Sequence, residues 1–343
     1  MNLKKIILIL LGLGSVAALI MLLDPVQVSF IMSSITPGAL ALLFSLQILT
    51  LAAGAWIWHF LISRRTRISF VSIFLINQAS SLVEALTPSV KLGGEAARIF
   101  LLRKKTEIPY HSLTGIMLVQ KFVTMVPFVL FFLAMTMPAL FILDIPWSFV
   151  LLGAGLTLAC LGLAWICYGR TETRSAPCDP HEDQGQNRDC PSDIIRRLQV
   201  PGHKVLNFIS GARTSASGLL TAGQTMKALS VSLGVWVLYP VKVYLACHFL
   251  GLEVGLLMAG LATLFAYTVS MLPLLPGGLG VYEGGMTAVL CLAGLSPAEG
   301  LAVSLLTRLT TFWFPLFLSA LACAALFWRD NPFKNKDQLR HTA

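Results

Sequence analysis

The chain has 343 residues, 56% of them hydrophobic and 12% charged, with 25 Lys and Arg against 16 Asp and Glu. Soluble domains carry about 25% charged residues, so this composition, with a mean hydropathy of +0.78, excludes an ordinary water-soluble domain. The net charge of +9 is confined largely to short polar segments between apolar runs, which argues for membrane orientation and against nucleic-acid binding.

Several apolar runs reach the roughly 20 residues that a helix needs to cross the hydrocarbon core. The alternating segments of about 10 residues that mark a transmembrane barrel are not found. The predicted class is therefore an all-α polytopic membrane protein. Lys4 and Lys5 precede an apolar run from Ile6 to Leu23. That run is longer than a signal-peptide core and has no small-residue cleavage site before its polar end, so it reads as an uncleaved first span. A second span, near Gly38–Ile62, ends at Arg64, Arg65 and Arg67. Next come a polar-studded apolar segment, Ile68–Leu86, and a short segment ending in Arg103, Lys104 and Lys105. The third span is expected over His111–Thr136 and the fourth over Trp147–Tyr168, followed by a polar loop, 169–204. A weakly amphipathic stretch, 205–226, is expected at the membrane interface. The fifth span covers Ala228–Leu250 and the last covers Leu301–Trp328, before a polar tail, 331–343. Residues 1–330 thus form the membrane domain, with 169–204 as an inserted loop.

Assigning the N-terminus, the 64–67 and 98–105 segments, the 169–227 region and the tail to the cytoplasm places 21 of the 25 Lys and Arg on that side. The other four, Lys91, Lys121, Lys242 and Arg308, fall within or beside membrane segments, and none falls in an outer loop. Both termini are expected in the cytoplasm of a bacterial inner membrane. Because 64–67 and 103–105 share a side, the stretch between them must enter the membrane and return, as a re-entrant hairpin. A second, opposed hairpin is expected over 254–295, where a pair of complete spans would preserve the same parity.

The two hairpin turns share a device. Pro88 precedes Glu95 by seven residues, with Gly93 and Gly94 between them, and Pro276 precedes Glu283 by seven, with Gly277, Gly278 and Gly280 between them. Proline removes an amide donor, and glycine lets the chain turn without a Cβ clash. Broken segments in corresponding halves point to an inverted repeat with a binding site near the midplane. The half-helix starts expose unpaired amides suited to an anion such as phosphate. Arg98, three residues after Glu95, is placed for a helical ion pair. Arg308 has no sequence-local partner, so Glu283, Glu95 or a lipid phosphate is expected to meet it. The site is therefore read as Pro88, Gly93, Gly94, Glu95, Arg98, Pro276, Gly277, Gly278, Gly280, Glu283 and Arg308, converging on one phosphate. Cys178, His181, Cys190 and His203 lie in the polar loop with poor zinc spacing, and no metal or cofactor is expected. "GGLGVYEGG" lacks the βαβ surroundings of a dinucleotide loop.

The Thr87-Pro88 turn with Gly93, Gly94, Glu95 and Arg98, the Pro276-Gly277-Gly278-x-Gly280-x-x-Glu283 turn, and Arg308 in the last span resemble the lysylphosphatidylglycerol synthase transmembrane-region family, over about residues 5–330. The resemblance implies a lipid flippase that moves a phosphate-bearing lipid, with a lipid-biosynthetic enzyme as a possible partner. The soluble aminoacyl-transferase domain that accompanies this region in full-length synthases does not follow the last span here, so synthase activity is not expected. The alternatives are a membrane-embedded lipid-modifying enzyme with Glu283 as general base, and a non-catalytic partner of a glycosyl- or aminoacyl-transferase. The sequence contains no nucleotide-binding loop, so facilitated or ion-coupled movement is expected.

Overall fold

The computed structural model describes residues 25–86, 92–142, 219–270 and 276–329, with isolated helical positions within 14–21, 155–164 and 211–216. The predicted first and fourth spans, the 169–204 loop, the tail, Pro88 and Lys91 fall wholly or largely outside the described residues. All regular structure among the described residues is helical.

A short helix, α1 (Pro25–Ser33), leads into α2 (Pro37–Ile62). Thr36 caps α2 by accepting from the Ala39 amide at 3.2 Å, with Pro37 at the first helical position, where its missing N–H costs nothing. Two shorter helices follow, α3 (Phe70–Leu86) and α4 (Leu92–Thr106), and then α5 (Tyr110–Ile142). The second half repeats this order with α6 (Ala222–Phe249), α7 (Leu256–Ser270), a 3₁₀ turn (Pro276–Gly278) and α8 (Val281–Leu292). It closes with α9 (Pro297–Arg308), a π turn (Leu309–Trp313) and α10 (Phe314–Arg329). Among the described residues four helical stretches are long and apolar enough to cross a membrane: Pro37–Ile62, Tyr110–Pro138, Ala222–Phe249 and Pro297–Trp328. The arms α3, α7 and α8 are apolar but too short for that.

Side-chain contacts fix the relative directions. Lys227 lies over the Trp56 ring at 5.7 Å, while Lys242 reaches Gln47 and Thr50, so α2 and α6 are antiparallel. Phe44 stacks on Phe314 at 4.5 Å, and Leu326 packs into the cluster that holds Ile57, Trp58 and Leu61, so α2 and α10 run together. Trp236 of α6 donates to the Thr124 carbonyl of α5 at 3.1 Å and stacks near Phe128. Each half is thus a long helix, a hairpin of short arms and a second long helix, with the corresponding helices of the two halves running in opposite directions. The halves also interlock. The first arm α3 lies along α10, where Cys323 sits 3.9 Å from the Ala79 carbonyl, and α7 lies against α5 through Leu264 and Phe132.

Two expected boundaries move. The helix expected to end at Thr136 continues through Pro127 and Pro138 to Ile142. The last helix begins at Pro297, not Leu301, because Ser296 and Glu299 form a reciprocal capping box: the Ser296 amide donates to Glu299 Oε2 at 2.7 Å and the Glu299 amide donates to Ser296 Oγ at 3.3 Å. The 205–226 stretch expected at the interface is described only in part. Residues 222–226 belong to α6, and Ala212 and Ala216, each 3% exposed, dock on α5.

That docking depends on Gly115. A Cβ there would stand 2.5 Å from the Ala212 carbonyl oxygen and 3.0 Å from the Ala216 nitrogen, both backbone atoms. Overpacking of this kind typically costs about 1–3 kcal/mol. Gly115→Ala is therefore expected to lower the thermal midpoint of the detergent-solubilised protein measurably. Gly54→Ala, at a position with nothing within 4 Å, is expected to leave it unchanged. Equal midpoints for the two variants would show that the 211–216 contact does not support the bundle.

Candidate functional site

The second hairpin turns where its sequence is richest in glycine. After α7, Pro276 opens the 3₁₀ turn, and Gly277, Gly278 and Gly280 take φ values of 65°, 64° and 78°. Non-glycine residues rarely enter that left-handed region. α8 starts immediately afterwards, so Glu283 falls in its first turn. Glu283 Oε2 accepts from the Gly280 amide at 2.7 Å, and Oε1 accepts from Arg308 Nε at 3.0 Å. Arg308 Nη2 donates to the Gly277 carbonyl. The guanidinium is enclosed between rings, 4.5 Å from the Tyr282 centroid and 4.3 Å from that of Phe312. Glu283 is 1% and Arg308 6% exposed.

This cluster solves a local problem. The turn sits deep in the bundle, where a peptide group that pairs with neither water nor protein is costly. The carboxylate accepts from the first amide of the new helix, and the guanidinium caps a carbonyl of the turn. Each also neutralises the other, and two aromatic faces add cation–π attraction. The π turn starts directly after Arg308, and such turns are frequent at functional positions in helices. The expectation that Glu283 meets Arg308 is realised, and the whole Arg308 edge from Nε to Nη2 is committed to protein acceptors.

The first hairpin holds a second cluster. Glu95 again falls in the first turn of the second arm, α4. Its Oε2 accepts from Arg98 Nη1 at 2.7 Å, and its Oε1 accepts from Lys121 Nζ of α5. Arg98 lies 5.0 Å from the Trp58 ring centroid of α2 and is 7% exposed, so this residue is part of the interior and not of a flanking loop. Gly93 and Gly94 occupy the start of α4, with the Gly94 backbone packed against Glu84 and Ser80 of α3.

The two clusters correspond in detail. Lys121 and Arg308 are each the twelfth residue of the helix that follows their hairpin, and they lie 26 and 25 residues after their carboxylates. Among the described residues no ion pair joins one cluster to the other. The described candidate residues thus fall into two matched clusters. Contact between α3 and the 276–278 turn brings the hairpins against each other.

A buried chain of rings and cations runs through the second half and meets α2 of the first. Tyr282 meets Tyr267 edge-on at 5.5 Å, Tyr267 meets Tyr239 at 5.0 Å, and Lys242 Nζ lies 4.3 Å from the Tyr239 centroid. Lys242, 1% exposed, donates to Gln47 Oε1 at 2.6 Å and Thr50 Oγ1 at 3.2 Å, with no carboxylate within ion-pair distance among the described residues. Sequence reasoning singled out neither the ring bridge nor Lys121 as the partner of Glu95. The matched spacing from carboxylate to cation was a signal that could have found Lys121.

Residues 7–319 match the family described as the lysylphosphatidylglycerol synthase TM region. A UPF0104 membrane protein of Methanothermobacter thermautotrophicus is 24% identical over 341 residues, which cover 94% of this chain and 95% of that protein. A UPF0104 membrane protein of Pyrococcus horikoshii is 23% identical over 257 residues, 74% of this chain and 73% of that protein. With its apolar helices and paired broken hairpins, the chain is a multi-pass membrane protein and belongs to the lysylphosphatidylglycerol synthase transmembrane-region family.

Proposed function

We propose that the chain is a flippase that moves a phosphate-bearing lipid across the bacterial inner membrane without altering it chemically. The observation that carries this reading is the duplicated device: a broken hairpin, a carboxylate at the start of its second arm and a cation from the next helix, once in each of two oppositely directed halves. Discontinuous helices in inverted repeats commonly build midplane transport sites. In this reading both hairpins are re-entrant, one from each face, and their polar tips line the headgroup's path while the acyl chains stay in lipid. Both oxygens of Glu283 are engaged, by the Gly280 amide and by Arg308, which supports a positioning role over general-base chemistry.

Orientation follows from charge. With Arg98 in the interior, 20 of 25 Lys and Arg still fall on one side, and in this reading both termini and the 169–204 loop face the cytoplasm. Membrane-impermeant maleimide applied to intact cells should therefore leave Cys178 and Cys190 unlabelled until the membrane is permeabilised. Strong labelling from outside would reverse the topology.

The transport assay uses the purified chain in liposomes, with fluorescent phospholipids of different headgroups and an external quencher. The parent is expected to accelerate transbilayer movement over empty liposomes, and mass spectrometry should find the lipid unchanged. A chemically modified lipid would replace this reading with an enzymatic one. Parent movement no faster than that of empty liposomes would reject it.

Arg308→Lys keeps the charge but not the planar edge that serves both Glu283 and the Gly277 carbonyl. Hydrogen bonds to charged groups contribute about 1.5–3 kcal/mol, so the initial rate is expected to fall about tenfold or more. A parent-like rate would mean that the tip works without this clamp. Replacing Gly277 and Gly278 by leucine should abolish transport while insertion persists, because both backbones are left-handed and a Cβ would meet Phe312 at 2.6 Å and Ser270 at 2.7 Å. Unchanged transport in that variant would make the break a packing feature only.

A further inference from the structure

The two clusters are matched in position but not in charge. At the second hairpin, one carboxylate faces one guanidinium, and both are sealed, with side chains 1% and 7% exposed. At the first hairpin, one carboxylate faces two cations. The Lys121 side chain keeps 36% exposure there, while the Arg98 side chain keeps only 8%. Arg98 Nε is also buried with no hydrogen-bond partner among the described residues. A buried guanidinium N–H without an acceptor is unfavourable, and it is relieved when an incoming group supplies an oxygen.

The depth of Lys121 matters as well. As the twelfth residue of α5, it lies about 17 Å along the helix from Tyr110, near the middle of a ~30 Å core. A partly exposed ammonium at that depth is costly against acyl chains, so its open face is expected to look into a polar path.

We propose that Lys121 and Arg98 form the seat for a singly charged phosphodiester, and that the Arg308–Glu283 pair is a fixed clamp that takes no ligand. Lys121, Arg98 and Glu95 together leave one positive charge, and the Glu84 side chain packed against Gly94 adds acidity beside them, so the seat has at most one positive charge for a singly charged phosphodiester to neutralise. A doubly charged phosphomonoester would overshoot, so diesters are preferred. Arg98 Nε and Lys121 Nζ donate to the phosphate oxygens, and Glu95 holds both cations in place between occupancies. That the phosphate arrives on a lipid rests on the transport reading above. The seat itself recognises chemistry that a free phosphate also carries.

The test titrates the full-length chain in detergent by calorimetry with dioctanoyl-phosphatidylglycerol, inorganic phosphate and uncharged dioctanoylglycerol. The parent is expected to bind the phosphodiester lipid and not the uncharged one. Lys121→Gln should weaken that binding about tenfold, the loss of one charge-assisted contact. Lys121→Arg should restore it, which also shows that the site still folds. Lys227→Gln, on an exposed lysine over Trp56, should bind like the parent. Parent-like lipid binding by Lys121→Gln overturns the seat. Inorganic phosphate binding as tightly as the lipid, with the same dependence on Lys121, supports the anion seat but overturns its preference for a lipid phosphodiester.

The liposome assay separates this proposal from the transport reading. If the parent and Lys121→Gln move lipid equally fast, the seat is wrong and transport stands. If the parent moves no lipid yet binds it in a Lys121-dependent way, transport is wrong and the seat stands.

Discussion

Glu283 is held from two sides, by the Gly280 amide and by the Arg308 guanidinium, and through this arrangement a helix break persists deep in the bundle. A turn among apolar helices has few acceptors and donors to draw on, and each unmatched peptide group is unfavourable. One ion pair with forked geometry meets several of these needs at once, while the flanking Tyr282 and Phe312 rings exclude solvent. Buried ion pairs are not strongly stabilising in themselves, but removing one partner leaves the other charge stranded, at a cost of about 3–5 kcal/mol. The position of α8, and with it the packing of α9 and the path of α10, therefore depends on this contact.

The same plan at the first hairpin was altered without being discarded. Lys121 stands where Arg308 stands in the other half, but lysine is a compact point charge that cannot bridge a carboxylate and a carbonyl along one planar edge. Arg98, on the hairpin itself, shares Glu95 with it and leans on Trp58. The result is a more open cluster with an excess positive charge. Duplicated halves that diverge in this way divide the work: one half holds geometry, and the other keeps spare bonding capacity.

Much of this was legible in the sequence because the governing constraints are local. Hydrophobic length placed the 37–62, 110–142 and 222–249 helices to within several residues. Pro276, Gly277, Gly278 and Gly280 announced the turn because few other residues tolerate its backbone angles. Arg308 was recognised as needing a partner because an isolated charge at that depth is untenable. What remained hidden depended on tertiary distance. Lys121 is 26 residues from Glu95, and its partner emerges only when α5 folds back along α4. The Tyr239–Tyr267–Tyr282 bridge draws on three separate helices, each of which reads as ordinary apolar sequence. The docking of the 211–216 segment was not legible because its surface is the bare backbone at Gly115, and a missing side chain leaves no hydrophobic signal.

Lys242 adds a constraint that belongs to biosynthesis. Its acceptors, Gln47 and Thr50, lie 195 and 192 residues earlier in the chain. An ammonium entering lipid alone is strongly disfavoured, yet a ribosome delivers α2 long before α6. By the time the charge reaches the translocon, its amide and hydroxyl partners are already in the bilayer. The order of synthesis thus matches the order of need: the first half serves as the solvent for a buried cation that the second half carries without a counter-ion among the described residues. A circular permutation that delivered α6 first would leave that ammonium to wait in hydrocarbon, although the finished contacts would be the same.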